Sequence, residues 1–436
     1  MKKIAIIGAG YTGMIAAKQL SDKYEVDIFE SYDYVGGMTS TFSAYGTPLE
    51  KYYRHIFKSD KYVVDLINEL GLSDKLIWPK TKMGYYTPKY GMLEFGTAMS
   101  LLKFKPLNLW QKFRFGLSVI NLKLVKNWKK LEKVTAHEWL LKHAGKKAYE
   151  CIWEPLLISK YGKSYKNVSM AWMWGKIVLR GSSGSSDGEE LGYMIGSYDE
   201  LTKKLEKELL KSKNIKIFKN EKVLSIKKEK EKYTIKTENS KFSQYDYVIS
   251  TVAYPIFENI AGSLIPKNVK NKLSKINYTA AKIMVLFMKE SFMKYYWLNN
   301  GDKSIPFGGL IEHTNFISKE NYGGHNVLYI SNYMFESDPL YKLSNEKLFD
   351  KYVPMLKQIN PNFDPKNVEK IEVFTERYAQ PIIKKNYSDL KPDFKIENEN
   401  VYIASMPQIY PEDRGLNYAI RLGMDVAKEV FKNEEE

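Results

Sequence analysis

The apolar positions of this chain change period along its length. Ile4–Ile7 and Val26–Phe29 are short, unbroken apolar runs, the pattern of strands buried on both faces of a parallel sheet. Between them, Met14–Leu20 is small, apolar and suited to a helix. Further strands are predicted at Ile215–Phe218, Val223–Ile226, Tyr233–Thr237 and Tyr247–Thr251, and a last buried strand at Val401–Ser405, ahead of a helix over Tyr418–Val430. Residues 81–190 read as largely helical. Within them Trp110, Phe113, Leu117, Ile120, Leu124 and Trp128 recur at intervals of three or four, which puts them on one helical face. Later in the chain, Ala281–Met288, Asn326–Tyr333 and Ile371–Tyr378 are β-type runs. They predict an antiparallel sheet forming the wall and floor of a substrate cavity.

Chemistry enters at the first strand. Gly8, Gly10 and Gly13 follow it as G-x-G-x-x-G, and Glu30 stands seventeen positions after Gly13, at the end of the second strand. A βαβ unit with this spacing is a dinucleotide fingerprint. Gly8 makes the tight turn, Gly10 lets a pyrophosphate approach the backbone, and Gly13 lets helix and strand pack closely. Tyr11 and Thr12, inside the motif, open a helix whose N-terminus offers free N–H groups and a positive dipole end to phosphate. Glu30 can accept hydrogen bonds from adenosine ribose hydroxyls. The fingerprint alone leaves NAD and FAD open.

Composition narrows the class. At 436 residues, 44% apolar and 27% charged, the chain has the make-up of a globular protein and room for two or three domains. The opening MKKIAIIGAG reads as strand and nucleotide turn rather than a secretion signal, because its apolar stretch is short and no small-residue cleavage site follows. No apolar run is long enough to span a membrane as a helix. Cys151 is the sole cysteine, which excludes intrachain disulfides and fits a cytoplasmic location. The histidines are scattered without ligand spacing, and no metal is expected.

The net charge of +16 is uneven: residues 101–149 hold twelve lysines and arginines against Glu132 and Glu138. With the stripe from Trp110 to Trp128, this is the pattern of a helix lying on an anionic membrane surface through residues 101–130, peripheral on the inner face of the cell membrane. A stripe packed on its own domain, in a chain that is simply lysine-rich, gives the same pattern, and both readings stay open here. No nucleic-acid motif accompanies the charge, so no nucleic acid is expected as a partner.

The segment after Glu30 separates the two dinucleotides by resemblance. Val35-Gly36-Gly37-Met38-Thr39-Ser40-Thr41 resembles the E-x6-GG-R-x-x-S/T motif of the flavin-containing amine oxidase superfamily, which includes monoamine oxidases, protoporphyrinogen oxidase and phytoene desaturases. Gly36, Gly37 and Thr41 match. Met38 stands where the motif has arginine, which weakens a pyrophosphate contact but leaves the backbone donors of Gly36 to Thr39. Near the other end, Pro411-Glu412-Asp413-Arg414-Gly415-Leu416-Asn417 after the last strand resembles the family's closing motif. There a helix N-terminus faces the flavin, and Arg414, Gly415, Leu416 and Asn417 would supply backbone donors. In the family, the residue at Val223 lies over the adenine through its backbone. The segment from Trp153 to Gly162 is similar to a region of bacterial protoporphyrinogen-oxidase-like proteins.

The resemblance implies FAD and an α/β fold with a Rossmann-like FAD-binding domain. That domain would be discontinuous, built from residues 1–80, 190–262 and 395–436. Residues 81–189 would form a helical insertion carrying the candidate membrane surface, with Ser182–Gly188 as a candidate lid. Residues 263–394 would form the antiparallel substrate-binding sheet. Lys282, opening one of its strands, corresponds by position to the amine-oxidase lysine that reaches flavin N5 through water. His55 follows the GG segment where relatives carry cavity-wall residues. Both are candidate catalytic residues. The implied activity is FAD-dependent removal of hydride from an apolar or lipid-linked small-molecule substrate at flavin N5. The alternative is a sugar isomerase resembling the UDP-galactopyranose mutases, which need arginines on a diphosphate; Arg54, Arg180, Arg377 and Arg421 are available.

Overall fold

The buried apolar runs form a five-stranded parallel sheet in the spatial order Ile215–Phe218, Tyr24–Phe29, Lys2–Ile7, Tyr247–Ser250, Val401–Ile403. The computed structural model describes residues 1–180, 184–185 and 188–435; the Ser182–Gly188 loop read as a lid lies for the most part outside them. The strands are apolar throughout because both faces are covered. Ile4, Ile6, Val26 and Ile28 pack on the helices Tyr11–Leu20, Tyr198–Leu209 and Leu416–Glu435. Ala5, Ile7, Phe29 and Val248 pack on a three-stranded antiparallel sheet over residues 223–245 and on the helix Tyr254–Ala261.

The helix Tyr11–Leu20 approaches its neighbours to backbone contact. A Cβ on Gly13 would lie 2.0 Å from the Gly8 carbonyl oxygen, and one on Gly423 would lie 2.5 Å from that of Thr12. Gly13 fastens the helix to the end of the first strand, and Gly423 fastens it to the helix Leu416–Glu435.

A second sheet has seven strands, ordered Val368–Pro381, Tyr278–Met288, Asn326–Met334, Gly309–Glu312, Trp297–Asn300, Met83–Thr87, Gly91–Glu94. It is antiparallel except where Trp297–Asn300 pairs with Met83–Thr87. The hairpin over residues 83–94 is thus an edge of this sheet and not part of the helical insertion, where the sequence pattern placed it. Its two strands are too short for alternation to register against the helical pattern that follows. Strand parity divides the sheet: Ala281, Ile283 and Val285 face the nucleotide-side core, while Met284 and Leu286 pack on the helix Asn345–Ile359.

The insertion is a set of short helices with well-formed N-termini. Thr97 with Ser100, Asn108 with Gln111, and Thr135 with Glu138 form capping boxes. The helix Leu109–Leu124 buries Phe115, Ser118 and Leu122 and turns its apolar stripe outward: Trp110 is 66% exposed and Leu124 71%, with Phe113, Leu117 and Ile120 between them also exposed. Trp128 leaves the stripe and packs edge-on against Tyr410 at 5.2 Å. The described residues of its own domain therefore leave the stripe uncovered. Among the described residues, no helix is long and apolar enough to cross a membrane.

Because the contact at Gly13 is backbone against backbone, no rotamer change can relieve it. Gly13→Ala should destabilise the protein by about 1–3 kcal/mol or more, read as a fall in the urea midpoint with and without bound ligand.

Candidate functional site

The turn between the first strand and its helix is held from below by the second strand. The Gly8 N–H donates to Phe29 O at 2.8 Å. The Glu30 carboxylate, buried at the sheet edge, accepts from the Ala9 N–H at 2.9 Å and the Tyr32 N–H at 3.1 Å. From above, the Gly36 N–H donates to Ala9 O at 2.8 Å, and a Cβ on Gly37 would fall 3.3 Å from Gly10 Cα. Gly10 differs from its neighbours. Its φ is −71°, and the nearest heavy atom to a Cβ there is 4.0 Å away. Among the described residues, nothing requires glycine at this position. What it leaves is a cradle before a helix whose N-cap makes no side-chain hydrogen bond and whose first turn holds no acid, the setting in which N–H groups receive phosphate.

Around the cradle, Tyr11 and Thr12 have their side chains engaged elsewhere: Tyr11 Oη lies 2.9 Å from Thr202 Oγ1, and Thr12 Oγ1 donates to Ala419 O at 3.0 Å. At the cradle itself these residues present backbone. Thr39 Oγ1 donates to Gly36 O at 2.7 Å and stiffens the glycine pair. Val223 opens its strand two residues after Glu221, whose N–H donates to Glu30 O at 2.8 Å, so that strand starts beside the acid. Asn417 Oδ1 accepts from the Val63 N–H at 3.2 Å. Gly415 and Leu416 bring the start of the helix Leu416–Glu435 to the wall of a large cavity.

That cavity, about 720 Å³, lies among the nucleotide-binding turns, the seven-stranded sheet and the insertion. Its wall includes Met38 and Gly415–Asn417, the sheet residues Ala281, Ile283, Ser331 and Tyr333, and Val119 and Lys123 of the outward-facing helix. His55 lines it, with Nδ1 3.2 Å from Tyr296 Oη. Lys282 does not, which corrects the catalytic role expected for it. Lys282 lies on the other face of its strand, where Nζ donates to the carbonyls of Tyr341 and Leu343 at 2.9 and 2.8 Å. Its neighbours Ala281 and Ile283 are the residues that face the cavity.

The cavity's positive charge comes from elsewhere. Asp413 Oδ2 accepts from Lys160 Nζ and Lys176 Nζ, each at 3.0 Å, and Oδ1 from Trp172 Nε1 at 3.2 Å. Arg414 donates through Nε to Gln380 Oε1 at 2.9 Å and through a terminal nitrogen to Tyr333 Oη. Burial pushes the Asp413 carboxyl up, but Lys160, Lys176 and Arg414 overcome it and hold the group well below the usual carboxylate range. Burial brings the Lys160 ammonium well below its ordinary value, against the pull of Asp413. Two lysines pair with one carboxylate, and the Arg414 guanidinium acts on it by charge alone.

Arg54 also lines the cavity and donates to Met38 O. Its buried Nε has no partner, as do Trp153 Nε1 and Tyr198 Oη in the same wall. Asp60, another wall residue, accepts from the Phe57 N–H at 2.9 Å, and burial pushes its carboxyl up to about 6. Lys160, Lys176 and Asp60 were not singled out from the sequence. Lys160 and Lys176 come from separate helices and Asp60 from the position before a third, and no spacing signals their convergence.

The flavin-containing amine oxidoreductase family model matches residues 11–405. The chain belongs to that family. A protein of Exiguobacterium sp. 255-15 named as a protoporphyrinogen oxidase superposes on this amine oxidoreductase with a TM-score of 0.80 over 99% of each chain at 15% identity. Reduced UDP-galactopyranose mutase superposes with a TM-score of 0.77 over 100% of this chain and 97% of that one, also at 15% identity. The mitochondrial protoporphyrinogen oxidase of Nicotiana tabacum is 29% identical over 177 residues, which is 39% of this chain and 34% of that protein. The match therefore spans about a third of the curated relative. The family is one of flavin-containing oxidoreductases, and the open cradle at Gly10 and the unpartnered Nε of Arg54 fit a bound cofactor.

Gly10→Val should abolish flavin loading while leaving the melting temperature of the flavin-free protein nearly unchanged, since a side chain there meets the ligand's space and not the protein's. Flavin absorbance per mole of folded protein checks this. Asp60 gives a pH signature. Its folded value, about 6, lies above the unfolded one of about 3.9, so its contribution is full below the unfolded value and is lost as pH rises through about 6. Wild type should therefore lose stability relative to Asp60→Asn between pH 4 and 6, measured by urea unfolding, with a constant difference above that range.

Proposed function

We propose that this protein is an FAD-dependent oxidoreductase that removes hydride from an apolar or lipid-linked substrate held in the cavity. When bound, FAD supplies the two-electron acceptor; the chain supplies binding, orientation and a dry site. Gly10 and the Gly36–Gly37 pair give the pyrophosphate room and backbone donors. Glu30 stands ready for the ribose hydroxyls, and the N-terminus of Leu416–Glu435 for the flavin end. Tyr53, Leu156, Met173, Ile283 and Trp297 in the wall exclude water and suit an apolar body. Trp153 Nε1 and Tyr198 Oη offer donors to a polar group on it.

The observation that carries this reading is that one cavity wall contains both Gly415–Asn417 and Val119 and Lys123. The helix bearing Val119 and Lys123 is the same one that turns Trp110, Phe113, Leu117, Ile120 and Leu124 outward. We take residues 101–130 to lie on an anionic membrane surface, so that a substrate dissolved in lipid passes into the cavity beside this helix. Basic residues near such a surface contribute about 1 kcal/mol each, enough in sum for reversible docking. For the isomerase alternative, Arg377 pairs with Glu336 and Arg421 with Glu412 away from the cavity, which leaves Arg54 as the candidate among these three that lines it.

The purified flavoprotein should float with anionic vesicles and not with neutral ones. Flotation should weaken as salt rises, and Trp110→Ala/Phe113→Ala should reduce it without changing the flavin spectrum. Anaerobic bleaching of the flavin by apolar C–H donors presented in those vesicles supports the oxidase reading. Ring exchange of UDP-galactopyranose, seen only after dithionite reduction, would replace it with the isomerase reading.

A further inference from the structure

We infer that Arg54 supplies the charged side-chain contact to the bound cofactor that residue 38 supplies in the family motif. This rests on the FAD reading above and deepens it. Met38 brings no charge to the glycine pair, and its side chain packs partly buried against the core. The Arg54 guanidinium arrives at the same place from a separate segment, after the hairpin that ends at Glu50, and donates to the Met38 carbonyl. A cation therefore stands at the backbone of position 38 although the residue there is apolar.

Among the described residues, nothing completes this cation. Its Nε is buried without a partner. Glu50 supports it electrostatically, but the Glu50 carboxylate oxygens accept from Tyr193 Oη at 2.7 Å and the Tyr198 N–H at 2.9 Å. Arg414, Lys160 and Lys176 are gathered around Asp413 and Tyr333 and bring it no anion. Burial draws the guanidinium below its ordinary value. A buried cation with an open donor is costly until an anionic or acceptor group meets it. Arg54 faces the cavity beside Met38, where a dinucleotide on the Gly10 and Gly36–Gly37 backbone presents phosphate and carbonyl oxygens, and a guanidinium fork suits them.

The test uses full-length protein freed of flavin, titrated with FAD by quenching of flavin fluorescence and melted with and without FAD. A wild type that binds no FAD overturns the FAD reading itself and is scored first. With that reading intact, Arg54→Met should weaken FAD binding by about 10–100-fold. It should shrink the FAD-induced rise in melting temperature while leaving the flavin-free melting temperature unchanged or higher, because an unpaired buried cation has been removed. Met38→Arg/Arg54→Met, which returns the charge to the motif position, should recover most of the lost affinity. FAD affinity of Arg54→Met within twofold of wild type would overturn the inference, as would a fall in flavin-free stability with no change in affinity. If Arg54→Met does not fold, Arg54→Lys decides, since it keeps the charge and loses the fork. Severalfold weaker FAD binding supports the inference, and unchanged binding overturns it.

Discussion

The site depends on one helix held at backbone contact from two sides. Gly13 brings Tyr11–Leu20 against the carbonyl of Gly8, and Gly423 brings the helix Leu416–Glu435 against the carbonyl of Thr12. Neither contact admits a side chain, so the positions of both helix N-termini follow from the packing itself and not from adjustable side chains. One N-terminus opens at the Gly10 cradle. The other opens at Gly415 in the cavity wall. The glycines thus divide into two kinds. Gly13 and Gly423 are required by the protein's own packing, whereas a Cβ at Gly10 would meet open space, with Gly37 Cα 4.0 Å away.

The second constraint is the parity of the strand Tyr278–Met288. Alternate residues face opposite sides of the sheet, so Ala281 and Ile283 reach the cavity while Lys282 is turned to the carbonyls of residues 340–343. There it ties a loop to the sheet. The charge in the cavity wall comes instead from Lys160 and Lys176 of the insertion, which pair with Asp413, and from Arg414, held by Gln380 and Tyr333. The insertion is therefore part of the chemistry of the cavity as well as its roof.

Sequence was most informative where function is carried by local spacing. The fingerprint from Gly8 to Glu30 forms the strand, turn and helix that its spacing predicts, the glycine pair at 36–37 packs against Gly10, and the loop from Asp413 to Asn417 joins the last parallel strand to the closing helix. The strands of the parallel sheet were legible because burial on both faces leaves them apolar throughout. The hairpin over residues 83–94 was not, because its short strands pair with Trp297–Asn300, far away in sequence. Lys282 was misplaced by a one-residue parity that an apolar strand does not reveal. Arg54 was visible only as an arginine. Its relation to Met38 is a tertiary hydrogen bond across two segments, and the apolar residue in the motif pointed to a lost contact and not to a relocated one.

The pairing of Tyr11–Leu20 with Leu416–Glu435 also sets an order of events during synthesis. Most of the chain separates these helices, so at roughly 5–20 residues per second tens of seconds pass before the second can meet the first. The strand Val401–Ile403, which completes the parallel sheet, is equally late. The helix Leu109–Leu124 leaves the ribosome early, with its apolar stripe already patterned. Each new molecule therefore displays a sticky surface well before it can capture its cofactor, and the stretch between those moments is when it is most exposed to aggregation, to chaperones and to any surface that suits the stripe.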